Sequence, residues 1–345
     1  MTLSLISVGL TDEKDLSLRA LEEARSCDTL YAEFYTTILD SDAKRLEGII
    51  GTPVKHLSRS QLEEASENLL EEARQRKVGV LIGGDCLTAT THISLLLEAA
   101  KKGIPTKVVH GSSILTAVAE TGLSLYKFGR TVTLPLPEKA PPNTVLRTLQ
   151  ENTEHGLHTL ILLDIDAQTQ RHQTIHQAIR TLLEAGDPEA YNPDTLTIAA
   201  ARLGWKDQII RAGKAGYLAG LDFGPSPHVL IVPSGLHFLE AEALKTMAEC
   251  PYEVLEAHNP EGSTDRLIRK YSEGCRRVLN EIKKTHLPKE IDSGEVKALI
   301  EHAATYVGDA EYYARERKAT ALASVSYAEG ILDALRLLGL VEFEW

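Results

Sequence analysis

Apolar β-type runs alternate with helical patterns through the first 260 residues, and that rhythm limits the fold more than any single motif. Residues 3–8 form an apolar run closed by Gly9, and a helical pattern follows over 15–24. Residues 29–34 and 54–57 read as strands, and 61–74 as a helix with Leu62, Ala65, Leu69, Leu70 and Ala73 on one face. A strand at 78–82, a helix over 92–101, a strand at 106–109 and a helix from about Ser113 complete a first block. Such βαβ order predicts a mostly parallel sheet with helices on both faces. In the next block, strands at 131–136, 159–163, 196–201, 208–210 and 228–232 accompany helices at 144–154, 175–183 and 238–247. Strands crowd together at 196–210, so this second sheet is expected to be mixed and partly antiparallel.

The sharpest single stretch is VGVLIGGDCLTATTH, residues 78–92. An apolar run stops at Gly83-Gly84, delivers Asp85, and gives way to hydroxyls and His92 as a helix begins. Ligands of open α/β sheets bind outside the carboxyl ends of strands, so a carboxylate there reads as part of a site. Glycines at that place let backbone approach a ligand closely. The plainer alternative is a strand-to-helix turn with an exposed Asp. Five further corners have the same character: Gly9-Leu10, Ser112-Ser113-Ile114, Leu163-Asp164, Arg202-Leu203 and Pro227-His228. Six such corners over two sheet blocks fit a small molecule held between two domains.

Beyond the segment PEGST at 260–264 the pattern becomes wholly helical. Ile268, Tyr271, Cys275, Val278 and Ile282 mark one helix face, and Pro288 ends that run. Asp292 and Glu295 read as a capping box ahead of Val296, Leu299, Ile300, Ala303 and Val307. A last helix carries Leu322, Val325, Ile331, Leu332 and Leu335. The expected organisation is an α/β domain over 1–112, a second over 113–260, and a small all-α bundle over 265–345. At 345 residues the chain is long enough for several cores.

A net charge of −12 argues against a nucleic-acid partner held through phosphates. Cys27, Cys86, Cys250 and Cys275 are scattered, as expected of reduced thiols in the cytoplasm. The N-terminal run lacks the basic start of a signal sequence, and no uncharged stretch reaches the ~20 residues that span a bilayer. No GxGxxG or GxxxxGK[ST] string occurs, and no GxSxG elbow. His172 and His176 have the i, i+4 spacing of a metal pair, but Gln173 stands where a zinc hydrolase needs Glu, so a solvated helix face is the expectation. Neither a metal nor a catalytic nucleophile is expected.

Several strings within residues 1–260 carry a family resemblance: GLTDEKDLSLRALE, CDTLYAEFYT, GGDCLTATTH, TGLSLYKFG, GLHTLILLDI and PHVLIVPSGLHFLEAEAL. Through them the chain resembles the diphthine synthases, S-adenosylmethionine-dependent methyltransferases of diphthamide biosynthesis in archaea and eukaryotes. That family lies in the tetrapyrrole-methylase class, which implies two α/β domains with the cofactor cleft between them. The resemblance implies S-adenosyl-L-methionine as cofactor, held at Leu10, Asp85, Thr88, Ser113, Ile114, Leu163, Leu203 and His228. It implies translation elongation factor 2 as protein substrate and a homodimer. The acceptor is then the amino group of a 3-amino-3-carboxypropyl arm on histidine, carried to the trimethylammonium. With a pKa of ~8 about a tenth of such amine is neutral at pH 7, so a strong base is not demanded. Two departures stand out: Cys86 where the family has Pro after Gly-Asp, and Ser112 where it has Pro before Ser-Ile. Both loops are thereby less constrained in φ. The rival readings are a methylase of tetrapyrrole or corrin precursors and a non-catalytic adaptor acting through its bundle. The bundle itself resembles a small archaeal helical domain of unknown role.

Overall fold

A computed structural model describes residues 1–166, 169, 171–258, 263–282, 293–314 and 317–345 of the chain. Five strands build the first sheet: β1 (Thr2–Gly9), β2 (Thr29–Glu33), β3 (Val54–His56), β4 (Lys77–Gly83) and β5 (Thr106–Val109). They lie in the order β3-β2-β4-β1-β5, every pair parallel. Helices α1 (Leu18–Arg25), α2 (Ala43–Ile50), α3 (Ser66–Gln75) and α4 (Ile93–Lys101) make the crossovers. Side chains alternate along each strand. Leu3, Leu5, Val78, Val80 and Ile82 pack with Leu69, Leu70, Leu95 and Ala99 of α3 and α4. Ile6, Val8, Leu30 and Leu81 face α1 and α2 on the other side. Each fully buried aliphatic side chain contributes about 1.5–3 kcal/mol.

The second sheet contains β6 (Val132–Leu134), β7 (Thr159–Leu163), β10 (Leu196–Ala201), β11 (Ile209–Lys214) and β12 (His228–Val232), with a small hairpin of β8 (Ile165–Asp166) and β9 (Arg171–His172) beside it in sequence. Its order is β11-β10-β12-β7-β6; only β6 and β7 pair in parallel, so the sheet is mixed as expected. One face packs on α6 (Asn143–Glu154), α7 (Ile175–Glu184) and α8 (Ala215–Leu218), the other on α9 (Phe238–Met247) and α10 (Tyr252–His258). The short α5 (Ile114–Ala117) follows β5. Both sheets lie in one compact unit, Met1–His258.

Residues 259–345 form a second unit, described by itself. There α11 (Ser263–Ile282), α12 (Ser293–Tyr313) and α13 (Lys318–Leu337) bury Cys275, Val278, Val307, Val325 and Leu332 in a core of their own. Pro260, Pro288 and Asp292, which the sequence marks as a change of pattern, a helix stop and a cap, lie outside the described residues.

The 61–74 pattern is not one helix. A single π turn, Ser60–Glu64, is separated from α3 at Ala65, whose φ of −126° breaks the spiral. The strand expected at 208–210 runs on to Lys214, because β10 supplies a full antiparallel partner. His172 and His176 do not share a helix face: His172 sits in β9, while His176 is in the first turn of α7 with Nδ1 2.5 Å from the Ala219 carbonyl.

Candidate active site

Strands β4 and β1 are neighbours, and the chain winds outward from them in opposite directions. Such a reversal opens a crevice at the carboxyl ends of the strands. Here those ends are Gly9 and Gly83-Gly84, tied together by Gly84 N–H to the Gly9 carbonyl (2.7 Å) and Gly9 N–H to the Gly84 carbonyl (3.2 Å). The tie needs φ of +106° at Gly9 and +69° at Gly84, values that exclude most side chains.

A cavity of about 380 Å³ opens from this point. The first block contributes Leu10, Asp85 and Thr88, and the start of α5 contributes Ser113 and Ile114. Leu163 and His228 come from the second sheet, and Leu203 from the turn after β10. All six corners singled out in the sequence supply lining residues. Trp205 joins the sides, its indole N–H donating to the Leu10 carbonyl (3.3 Å).

Asp85 is not the exposed turn residue of the plainer reading; it is buried. One carboxylate oxygen accepts from Leu87 N–H (3.0 Å) and the Thr88 hydroxyl (3.2 Å). The other is 2.8 Å from His110 Nδ1 and accepts from Gly111 N–H (3.2 Å). Four donors match the lone-pair capacity of a carboxylate. Burial opposes its charge, but the N–H of Leu87, His110 and the N–H of Gly111 outweigh it and hold the carboxyl below its ordinary range. Asp85 thus ties the loop after β4 to the loop after β5.

Ser113 caps α5, its hydroxyl accepting from Leu115 N–H at 3.0 Å. His228 Nδ1 accepts from Ile175 N–H (3.3 Å), which leaves the ring proton on Nε2 of a neutral imidazole. That Nε2 is buried and makes no hydrogen bond of ordinary geometry, although the backbone carbonyls of Phe223, Gly224 and Pro225 bear on the ring. Burial, then the charge of Arg202, pushes the ring below its ordinary pKa. Arg202 adopts a left-handed φ of +52° and donates to Asp207 (2.8 Å) and the Phe223 carbonyl (2.8 Å). Non-glycine residues in that region are uncommon and concentrate at functional sites.

The cavity also takes in Thr36, Thr37, Arg59, Thr90 and Trp205, which sequence reasoning did not assign. The one available signal was that Thr36 and Thr37 follow a strand end. The Cys86 departure is absorbed locally, since its N–H donates to the buried Ser7 hydroxyl (2.9 Å), a bond proline could not make. Among the described residues no group of three His, Cys, Asp or Glu could hold a metal, and no helix is long and apolar enough to cross a membrane.

Residues 2–219 match the tetrapyrrole (corrin/porphyrin) methylases, so two sheets closing on a strand-end cavity are the methylase architecture of that class. A diphthine synthase of Methanosarcina mazei is 39% identical over 264 residues, 74% of this chain and 98% of that protein. One from Methanothermobacter thermautotrophicus is 41% identical over 261 residues, 74% of this chain and 98% of that protein. A crystal structure of diphthine synthase superposes with a TM-score of 0.70 at 34% identity, covering 74% of this chain and 99% of the other. The chain belongs to the diphthine synthase family, the methyltransferases of diphthamide biosynthesis. Residues 270–341 match a family described as a protein of unknown function (DUF357).

Proposed function

We propose that the cavity binds S-adenosyl-L-methionine and that the chain methylates, three times, the amino group of the 3-amino-3-carboxypropyl-histidine of translation elongation factor 2. The observation that carries this reading is the meeting of Leu10, Asp85, Thr88, Ser113, Ile114, Leu163, Leu203 and His228 on one cavity. The wall fits the donor chemically. Leu10, Ile114, Leu163 and Leu203 offer aliphatic surface to a purine, and the volume lies in the ~300–1,000 Å³ range of small-molecule sites. The buried Nε2–H of His228 adds a polar donor to that wall. When bound, the donor supplies a methyl group already activated by its sulfonium.

What the residues then contribute is placement, which lowers a bimolecular barrier by several kcal/mol. Asp85 holds two loops in register, Ser113 fixes the start of α5, and the leucines exclude water. Both the homodimer and the cytoplasmic location belong to this proposal through the family resemblance; a sedimentation mass of one chain at working concentration would remove the dimer. The decisive experiment incubates the chain with labelled S-adenosylmethionine and elongation factor 2 carrying the unmethylated arm, and reads the product by mass spectrometry. A gain of three methyl groups is expected. No gain, where a control diphthine synthase works, ends the reading.

A further inference from the structure

We propose that Glu33 receives the proton of the acceptor amine, and that the Thr36 hydroxyl carries it from the cavity. The inference rests on the amine-methylating reading above and concerns a residue that does not itself line the cavity.

Glu33 closes β2 and is 1% exposed. Its Oε2 accepts from the N–H groups of Tyr35 (3.0 Å) and Thr36 (3.1 Å), and its Oε1 accepts the hydroxyl of Thr36. Thr36 lines the cavity. One hydroxyl therefore separates a buried carboxylate from the reaction space. A second buried titratable group stands beside it. His92, 2% exposed, acts electrostatically on Glu33. Its Nδ1 is 3.0 Å from the Thr90 hydroxyl, which lines the same cavity, and 3.3 Å from the Cys86 carbonyl. A carbonyl only accepts, so Nδ1 carries a proton there. The other charged groups on the cavity are Asp85, Asp164, Arg59 and Arg202. Burial raises the Glu33 carboxyl above its ordinary range, against the hydrogen bonds from Thr36 and the influence of His92. Such a carboxylate is a better base than one in water.

The reaction needs a proton acceptor more than once. Turning a primary ammonium into a trimethylammonium releases three protons, one before each transfer. In each step the ammonium N–H bond breaks as its proton passes to Thr36 Oγ1. The original Thr36 hydroxyl proton moves to Glu33 Oε1, and nitrogen keeps the electron pair that accepts the methyl group. Glu33 returns the proton to water along the same path when the cavity reopens between transfers.

The test uses the full chain, S-adenosylmethionine and elongation factor 2 carrying the unmethylated arm, with each methyl addition timed by mass spectrometry from neutral to mildly alkaline pH. Glu33→Gln and Thr36→Val should slow the transfers roughly tenfold at pH 7. The deficit should close as the pH rises past ~8, where solvent deprotonates the amine unaided. Thr36→Ser should keep the parent profile. Calorimetric binding of S-adenosylhomocysteine confirms folded variants. The proposal is overturned if Glu33→Gln or folded Thr36→Val keeps the parent's pH profile. It is also overturned if their losses are equal at every pH and Thr36→Ser is no better, which is the behaviour of a turn cap. A parent that transfers no methyl group sinks the reading above and takes this one with it; a parent that transfers three beside unchanged variants sinks this one alone.

Discussion

The two ring nitrogens of His228 differ because a backbone N–H reaches only one of them. Ile175 N–H occupies Nδ1, so the N–H of the ring is at Nε2. Nitrogen-15 NMR should find that tautomer, neutral at pH values where an exposed histidine is already charging, because burial and then Arg202 depress its pKa. His228→Phe removes the buried donor and should weaken S-adenosylhomocysteine binding about tenfold in calorimetry, the value of one hydrogen bond. Asp85 makes a different prediction. Its acceptors are all engaged by this chain, so Asp85→Asn turns one oxygen toward donors with a donor of its own. We expect a loss of about 2 kcal/mol in urea unfolding and a weaker ligand through displaced loops. The Asp85 carboxyl is depressed in the folded state, so its stabilisation is present above the ordinary Asp range and disappears as pH falls through the folded value. Asp85→Asn should therefore show a shallower acid dependence than the parent. Leu10, Asp85, Leu163, Leu203 and His228 were legible in the sequence because each adjoins the end of an apolar run. Glu33, Arg59 and Trp205 were not: what gives them meaning is a partner or cavity built by distant segments, which periodicity does not report.

Helices and strands were legible wherever an apolar stripe was long enough to repeat. Strands β5, β7, β10 and β12 and helix α9 fall where the pattern put them. Helix α2 escaped because only Leu46 and Ile50 bury along its eight residues. The β8–β9 hairpin has two residues per strand, too few for any period. The i, i+4 spacing of His172 and His176 misled for the same reason: it straddles the start of α7 at Ile175, under a Thr174–Gln177 capping box, and carries no helix face across it. Two element-level predictions follow from polar ties. Cys86→Pro would restore the family's residue yet delete the N–H that serves the buried Ser7 hydroxyl; chemical unfolding should register a loss of about 1–3 kcal/mol. At the start of α9, Glu240 accepts from Ser124 N–H (3.0 Å), His237 N–H (2.8 Å) and Lys127, and lies 3.3 Å from His158 Nε2. Against the cost of burial, Lys127 and these N–H groups hold its pKa at about 2. The stabilisation is complete above the ordinary Glu range and vanishes as pH drops through about 2. Glu240→Gln should cost about 2–3 kcal/mol near neutrality and far less in strong acid, as thermal melts across that range would show.

At the scale of the whole molecule, the question is what the second unit adds to the first. The cavity's lining runs from Leu10 to Val229, so every part of the candidate site lies in Met1–His258. The hydrophobic clusters divide the same way: the bundle core is drawn from residues 271–343, and the two second-sheet clusters end at Leu255. The diphthine synthases of the two archaea supply an independent argument, since matches of 264 and 261 residues span 98% of those proteins. A chain cut after His258 should accordingly fold alone and methylate elongation factor 2 within about twofold of the full-length rate under saturating donor. Its thermal transition should stay cooperative, since no element of either sheet loses core partners within its own unit. Circular dichroism and the mass-spectrometric assay read both quantities. A folded but inactive truncation would show that residues 259–345 take part in catalysis or in seating the protein substrate. Activity with a changed KM and an unchanged kcat would assign them to the second of these, giving the helical unit a role in capturing elongation factor 2.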